Sequence, residues 1–396
     1  MKILHTADWH LGRVLHGVSL EEFQADFLRF FVDLVRVEAP EAVVIAGDIF
    51  DRSIAPVTAL ALMDQTLAQL AALTKVILIP GNHDSAARLG YGTSLYAENV
   101  VVYAQYAQVG TPVVLGAGLD TVNIYPLPYL EPDLARYHFA DPQTDEPTAR
   151  SHQAVNSAAA QRIFADLQQR MGIGLVVAHP FVAGSATSES ERDISVGGVQ
   201  SIAVDTFQDP AGQVKYVACG HLHRPQTLVP PQGDPQDYRV RYAGSPLPFS
   251  FSEGGDKKSI TRLEVSNQQV AVSEIAVPQP YKLATFKGTL EQLAELAVTV
   301  DESEKTFYAV EITDVFRPQN LFAKVKQLLP TVMQIRHVGA GKFDTEATVV
   351  TAQTSPGEVC EQFFAVALGR ELTEAESAVI EEIWENLRMQ EKALCD

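Results

Sequence analysis

The 396-residue chain carries 30 basic and 49 acidic side chains, for a net charge of −19; 46% of its residues are hydrophobic and 20% charged. That length exceeds the usual single domain, and the mix is that of a folded, globular protein rather than a disordered one. The acidity excludes a free-standing nucleic-acid binder, because such a field repels a polyanion unless cations, local basic residues or a basic partner intervene.

The opening Met1–His5 turns directly into a strand-like run and lacks the apolar segment and small-residue cleavage site of a signal peptide. No stretch approaches the ~18 apolar residues of a membrane span. Cys219, Cys360 and Cys395 are scattered and odd in number, so no disulfide framework is expected and a reducing cytoplasm fits.

Over residues 1–275 one theme repeats: a short β-branched run, a polar cluster, then a helical pattern. The runs are Lys2–His5, Ala42–Ala46, Val76–Ile79, Leu175–Ala178 and Val214–Ala218. Glu21–Val37 and Val57–Leu73 carry apolar residues at three- and four-residue spacing and are expected as helices. Buried strands alternating with helices predict a layered α/β sheet. Residues 141–152 and 230–237, rich in Pro, Asp and Gln, are expected as loops.

Residues 276–352 change character and are expected to form a small α/β second domain. Its expected strands are Leu283–Phe286, Phe307–Ile312 and Val332–Val338, with helices at Leu290–Leu296 and Asn320–Leu329. Residues 353–396 are expected as a helical tail. Ser355–Glu358 and Thr373–Glu376 both match the capping box that opens a helix. Val379, Ile380, Ile383, Trp384 and Leu387 fall on one apolar stripe, a surface that either folds back on its own domain or docks a partner. With three basic and ten acidic residues from Ser355 onward, this tail is no DNA arm.

Five polar clusters each follow a strand-like run: Asp8-Trp-His10, Gly47-Asp48-Ile-Phe-Asp51, Gly81-Asn-His-Asp84, Ala178-His-Pro180 and Gly220-His-Leu-His223. In open α/β sheets, sites assemble at the carboxyl ends of strands, so clusters far apart in sequence can converge. Asp, His and Asn without a thiolate suit a hard-to-borderline divalent ion such as Mn²⁺ and not a structural zinc site. Asp8, His10, Asp48, Asn82, His179, His221 and His223 are too many ligands for one ion and suit two. Asp48 is the natural bridge, since one carboxylate can hold two cations ~3.5–4 Å apart. The glycines before Asp48, Asn82 and His221 permit close backbone approach.

Taken together, these clusters resemble the signature of the calcineurin-like metallophosphoesterases. The stretches Ile3–Gly12, Ala46–Asp51, Arg192-Asp-Ile194, Gly220–Arg224 and Ala243–Phe251 are similar to the branch of that family that serves as nuclease subunits of ATPase-driven DNA end-processing complexes. The resemblance covers residues 1–275 and weakens beyond them. It implies a four-layer β-sandwich flanked by helices, with a small capping domain and the helical tail. It also implies two Mn²⁺ ions, one held by Asp8, His10, Asp48 and His223, the other by Asp48, Asn82, His179 and His221. His83 would face the scissile phosphate, with Asp84 orienting its ring. The implied activity is exonuclease action on duplex ends and endonuclease action on single strands or hairpins. A coiled-coil ATPase partner would share DNA binding and dock the tail, and a homodimer of the nuclease chain is implied. Ala178 stands where the family more often has glycine, and alanine is nearly as small.

Other residues have plainer readings. His5 is expected in the core, and His16, His138, His152 and His337 fit no cluster. Asp51 is a supporting side chain or a loop cap, and Trp9 packs beneath the site. Arg192 and Arg224 are the candidate DNA contacts, and Gly244-Ser-Pro246 sets a turn. Two other functions use the same sequence: a phosphodiesterase for small esters such as cyclic nucleotides, and a scaffold that keeps the fold without catalysis. A scaffold would have lost ligands, and a small-ester enzyme needs neither second domain nor tail.

Overall fold

Side chains alternate across each strand, and that alternation sets the layers. The computed structural model describes residues 1–338 apart from 97, 142, 192–200, 232–233, 235–236 and 301–304, together with 357, 359–361, 364 and 372–395, the stretch 385–395 by its backbone alone. A first six-stranded sheet runs in the order β14 (Gln269–Ala276), β13 (Ser259–Ser266), β1 (Lys2–Thr6), β4 (Ala42–Ala46), β5 (Lys75–Ile79) and β6 (Val100–Val102). Its four strands from β1 to β6 are parallel, β13 is antiparallel to β1, and β14 is antiparallel to β13. A second sheet has the order β11 (Gln226–Leu228), β12 (Arg239–Tyr242), β10 (Val214–Cys219), β9 (Ile173–Ala178), β8 (Val122–Pro126) and β7 (Val113–Leu115). Here β8, β9, β10 and β12 are parallel, and the edge strands β7 and β11 are antiparallel.

One face of each sheet meets the other. Ile3, Val44, Ile77 and Leu263 of the first sheet share a buried layer with Ile124, Leu175, Val177, Tyr216 and Ala218 of the second. The intervening residues Val176, Val217 and Tyr242 point the other way, onto Val155, Ala159 and Ile163 of α5 (His152–Leu167) and Ala135 of α4 (Pro132–His138). On the outer side of the first sheet, α1 (Glu21–Glu38) packs on α2 (Val57–Ala71), and α2 on β5. The result is a helix–sheet–sheet–helix sandwich. Each fully buried aliphatic or aromatic side chain in it stabilises by ~1.5–3 kcal/mol.

Local chemistry explains the element ends. The α1 stripe of Phe23, Phe27, Phe31 and Val35 recurs every four residues on its buried face. This helix stops where Ala39 takes a φ of 44° just before Pro40. Helix α5 starts where Ser151 accepts a hydrogen bond from the Ala154 N–H at 3.2 Å. In the β13–β14 hairpin, Asn267 and Gln268 have φ values of 51° and 61°, the I′ turn that matches strand twist. A small hairpin, β2 (Val14–Leu15) with β3 (Val18–Ser19), and a short α3 (Ala86–Leu89) complete these residues.

The chain forms two compact units, Met1–Thr285 with Asp301–Ala309, and Phe286–Val300 with Val310–Asp396. Most of a three-stranded sheet, ordered β15 (Lys282–Gly288), β16 (Thr306–Ile312) and β17 (Val332–His337), falls to the second. That unit also holds α6 (Leu290–Thr299) and α7 (Leu321–Leu328), and α6 opens on a reciprocal cap between Thr289 and Gln292. The last helix, α8 (Glu374–Cys395), opens on bonds between Thr373 and Glu376 at 2.8 and 3.4 Å. Ser355 and Glu358, expected to open an earlier helix, lie outside the described residues. No helix among the described residues is long and apolar enough to cross a membrane.

Candidate metal centre

Strands β1, β4 and β5 of the first sheet and β9 and β10 of the second end at one rim. The loops that leave them carry all five polar clusters. The β1 and β4 loops run side by side: the Asp8, His10 and Leu11 N–H groups donate to the carbonyls of Gly47, Asp48 and Ile49 at 3.0, 3.0 and 2.9 Å. The two sheets are stitched across the rim. The His221 N–H donates to Asp8 Oδ1 at 2.8 Å, and His179 Nδ1 lies 2.7 Å from the Ala46 carbonyl.

Asp48 sits at the middle. Its Oδ2 is 3.6 Å from His10 Nε2 on one side and 3.3 Å from His179 Nε2 on the other, while Oδ1 accepts the His83 N–H at 2.9 Å. On the first side His10 Nε2 and His223 Nε2 are 3.0 Å apart. On the second, Asn82 Oδ1 is 3.1 Å from both His179 Nε2 and His221 Nδ1. The structure therefore gathers all seven sequence-predicted ligands, with Asn82 and the six buried charged or imidazole groups at one rim.

Close approach needs the glycines. A Cβ on Gly47 would lie 2.4 Å from His179 Nδ1, one on Gly81 2.2 Å from Asp48 Oδ1, and one on Gly220 2.1 Å from the Ala46 carbonyl. The candidate ligands bend the backbone as well. Asp8, His10, Asp48 and His221 have φ of 55°, 44°, 50° and 99°, the left-handed region that costs a non-glycine residue roughly 1–3 kcal/mol. Strain of this kind persists only where the surroundings over-determine it.

The titration of the cluster follows from burial and charge. Burial pushes the Asp8 carboxyl well above the usual range. Burial opposes ionisation of Asp48 too, but His179, His10 and His83 together hold its carboxyl well below that range. For His179, burial is outweighed by Asp48 and Asp8, and its imidazole rises to about 9. Burial lowers His10, His221 (to about 3) and His223, keeping them in the neutral form that ligates metals.

The donor set fits divalent cations. Asp8 Oδ2 and His10 Nδ1 are buried and have no hydrogen-bond partner. Three clusters, Asp8–His10–His223, His10–Asp48–His83 and Asp8–Asp48–His179, each bring ligand atoms within 4.8 Å of one another. An orphaned carboxylate oxygen beside converging imidazole nitrogens is costly in the interior unless a cation joins them.

His83 is half-buried, its Nδ1 2.9 Å from the Asp51 carbonyl. That carbonyl orients the ring, which corrects the expectation that Asp84 does so. The Asp84 carboxylate instead accepts the N–H groups of Ile49, Phe50 and Gly81 at 3.1, 2.9 and 2.9 Å, binding the second and third loops together. Burial and the Asp48 charge push Asp84 up to about 6 despite those donors. Asp51 lies beside the first ligand group: its Oδ1 is 3.6 Å from His10 Nδ1 and 2.9 Å from Arg13.

Of the candidate DNA contacts, Arg192 lies outside the described residues. Arg224 Nε is 3.1 Å from both oxygens of Asp256, and its Nη2 donates to the Ser252 carbonyl. The guanidinium is about a third exposed beside this ion pair. Trp9 is buried, edge-on to Phe27 and Phe31, and its N–H reaches Thr6 Oγ1 at 3.0 Å. His5 is a core residue on the Tyr216 hydroxyl at 3.0 Å.

Sequence reasoning missed Arg13, Arg52, Ser190, Glu253 and Lys258. Arg13, Arg52 and Ser190 line a cleft of about 490 Å³ that also holds Asn82 and His83. Arg13 follows the first cluster by three residues, a signal within reach. Ser190 and Glu253 carried none, because nothing in their own stretches marks them as neighbours of His223.

Fold and rim define a metallophosphoesterase. Residues 1–225 match the calcineurin-like phosphoesterase family, and the chain belongs to that family, whose chemistry is metal-dependent phosphoester hydrolysis. Solved structures that align with the chain include a protein of Thermus thermophilus (13% identity, 69% of this chain and 98% of that one, TM-score 0.39). A dimetal phosphatase from Danio rerio is another (12% identity, 70% and 98%, TM-score 0.41).

Proposed function

We propose that the chain is an SbcD-type nuclease subunit, which hydrolyses DNA phosphodiester bonds at a pair of Mn²⁺ ions. The observation that carries this reading is the place of Asp48, with His10 Nε2 and His179 Nε2 at 3.6 and 3.3 Å from one carboxylate oxygen. Asp8, His10, Asp48 and His223 would hold one ion, and Asp48, Asn82, His179 and His221 the other. Bound there, the ions supply charge for the phosphate oxygens and activate water for in-line attack.

The chain's own residues do the rest. His83, fixed by its Nδ1 on the Asp51 carbonyl, turns Nε2 to the substrate and stabilises or protonates the leaving 3′ oxygen. Asp84 holds the two loops that carry Asp48 and His83 at a fixed separation. Arg13 and Arg52 are the cationic side chains of the neighbouring cleft, beside Asp51 and Asp84, and an otherwise acidic surface needs such groups to receive a polyanion.

The partner in this reading is an SbcC-type ATPase with a coiled coil, in the cytoplasm. Val379 and Ile383 of α8 are 55% and 54% exposed, which supports an apolar stripe open to it; the Leu387 side chain of that stripe lies outside the described residues. Val57 and Leu60 on α2, 81% and 48% exposed, support a homodimer within a heterotetramer. The test is Mn²⁺-dependent turnover of a linear duplex, a hairpin, bis-p-nitrophenyl phosphate and a cyclic nucleotide, with and without the coexpressed ATPase. DNA cleavage that rises with the ATPase is expected. Turnover of the small esters with inert DNA would overturn the reading.

A further inference from the structure

We propose that Ser190, locked by the buried Glu253–Lys258 pair, is a positioning residue that decides which nitrogen of His223 is left open to a divalent cation. The inference rests on the metal reading of His223 above and adds to it the device that prepares that ligand.

Glu253 and Lys258 are 1% and 2% exposed. The Lys258 ammonium uses all three of its N–H bonds: Glu253 Oε2 at 2.6 Å, the His223 carbonyl at 2.9 Å and Ser245 Oγ at 3.0 Å. A buried ammonium so placed requires an ionised partner, so Glu253 is a pure acceptor. Its Oε1 takes hydroxyls from Ser250 at 2.9 Å, Ser188 at 3.2 Å and Ser190.

Ser190 has one hydroxyl proton. Ser188 Oγ, 2.9 Å away, is a neutral competitor for it, and the charged carboxylate is the stronger acceptor. With its proton on Glu253, the Ser190 oxygen can only accept from its other close neighbour, His223 Nδ1. His223 is thereby the Nδ1–H tautomer, and its Nε2 carries a lone pair into the rim, where it faces His10 Nε2 at 3.0 Å. Ser190 and His223 are held in register by two further bonds: Arg13 Nη2 donates to the Ser190 carbonyl at 3.2 Å, and Glu191 Oε1 accepts the His223 N–H at 2.8 Å. Outer partners that fix a ligating histidine change metal affinity by about 10–100-fold when lost.

The experiment is a Mn²⁺ titration of the full-length chain by calorimetry and electron paramagnetic resonance, with no substrate. Wild type is expected to bind two ions. Ser190→Ala is expected to weaken one of them by about 10–100-fold and leave the other unchanged. Ser190→Thr, which restores the hydroxyl, is expected to return that ion to near wild-type affinity, and Glu253→Gln to weaken the same ion. Wild-type affinity for both ions in Ser190→Ala would overturn the assignment. So would equal weakening of both, or Thr binding no better than Ala. A wild-type chain that binds no Mn²⁺ sinks the metal reading itself and this assignment with it, a result separate from those three.

Discussion

His10 and His223 meet Nε2 to Nε2 at 3.0 Å in the protein interior. Two lone pairs cannot face each other at that distance without a proton or a cation between them. With His223 committed to the Nδ1–H form, His10 must donate from Nε2 in the absence of a cation, and its Nδ1 is then left buried without a partner. A cation held by His10 and His223 would take the place of that proton and leave the His10 N–H on Nδ1, toward Asp51.

The roles of Asp48 and His83 should separate. Asp48→Ala is expected to lose both ions and all hydrolysis, because this carboxylate lies between the two ligand groups. His83→Ala is expected to keep both ions and lose about 10²–10⁴-fold in kcat, the range of a proton-transfer residue. Metal analysis beside single-turnover kinetics checks this; equal metal loss in both variants would refute the role given to His83.

Asp84→Asn is expected to destabilise the chain by about 1–3 kcal/mol, since an amide cannot accept three N–H groups as a carboxylate does. Denaturant unfolding measures it. An unchanged midpoint would show that the loops need no such tie.

Gly47→Ala places a methyl 2.4 Å from His179 Nδ1 at a φ of +90°. We expect loss of the His179-side ion and a stability loss of roughly 1–3 kcal/mol from the strained backbone and displaced ring. Gly255→Ala, which meets nothing within 4 Å, is the control and should be near neutral.

Stability should fall with acid partly through His5. Burial, with the Arg241 charge, lowers its imidazole from 6.5 to about 3. Below pH 6.5 the unfolded chain binds a proton that the folded chain refuses until about pH 3, so this contribution is complete above 6.5 and declines across that window. The slope is about 1.4 kcal/mol per pH unit for one proton. In EDTA, His5→Gln should show a shallower decline between pH 6.5 and 4 than wild type. Parallel curves would mean that His5 titrates normally.

Much of this was legible in the sequence for physical reasons. The β4 run Ala42–Ala46 is apolar at every position because both of its faces are buried, so composition alone marks it. The rim was legible because each cluster follows such a run directly. β8 was missed: it ends at Pro126 with no polar cluster behind it. The β13–β14 hairpin was missed because its I′ turn is built from Asn267 and Gln268, without the glycine that usually signals one. Asp84 was assigned to its neighbour His83, whereas its oxygens reach back to residues 49 and 50, a contact that only the fold creates.

The rim also works as a seam. Its bonds from His221 to Asp8 and from His179 to Ala46 join one sheet to the other at the edge where the sandwich would otherwise splay. Chelation and unfolding are therefore one linked equilibrium: whatever fills the rim clasps the sandwich shut, and stripping it leaves that edge the first to part.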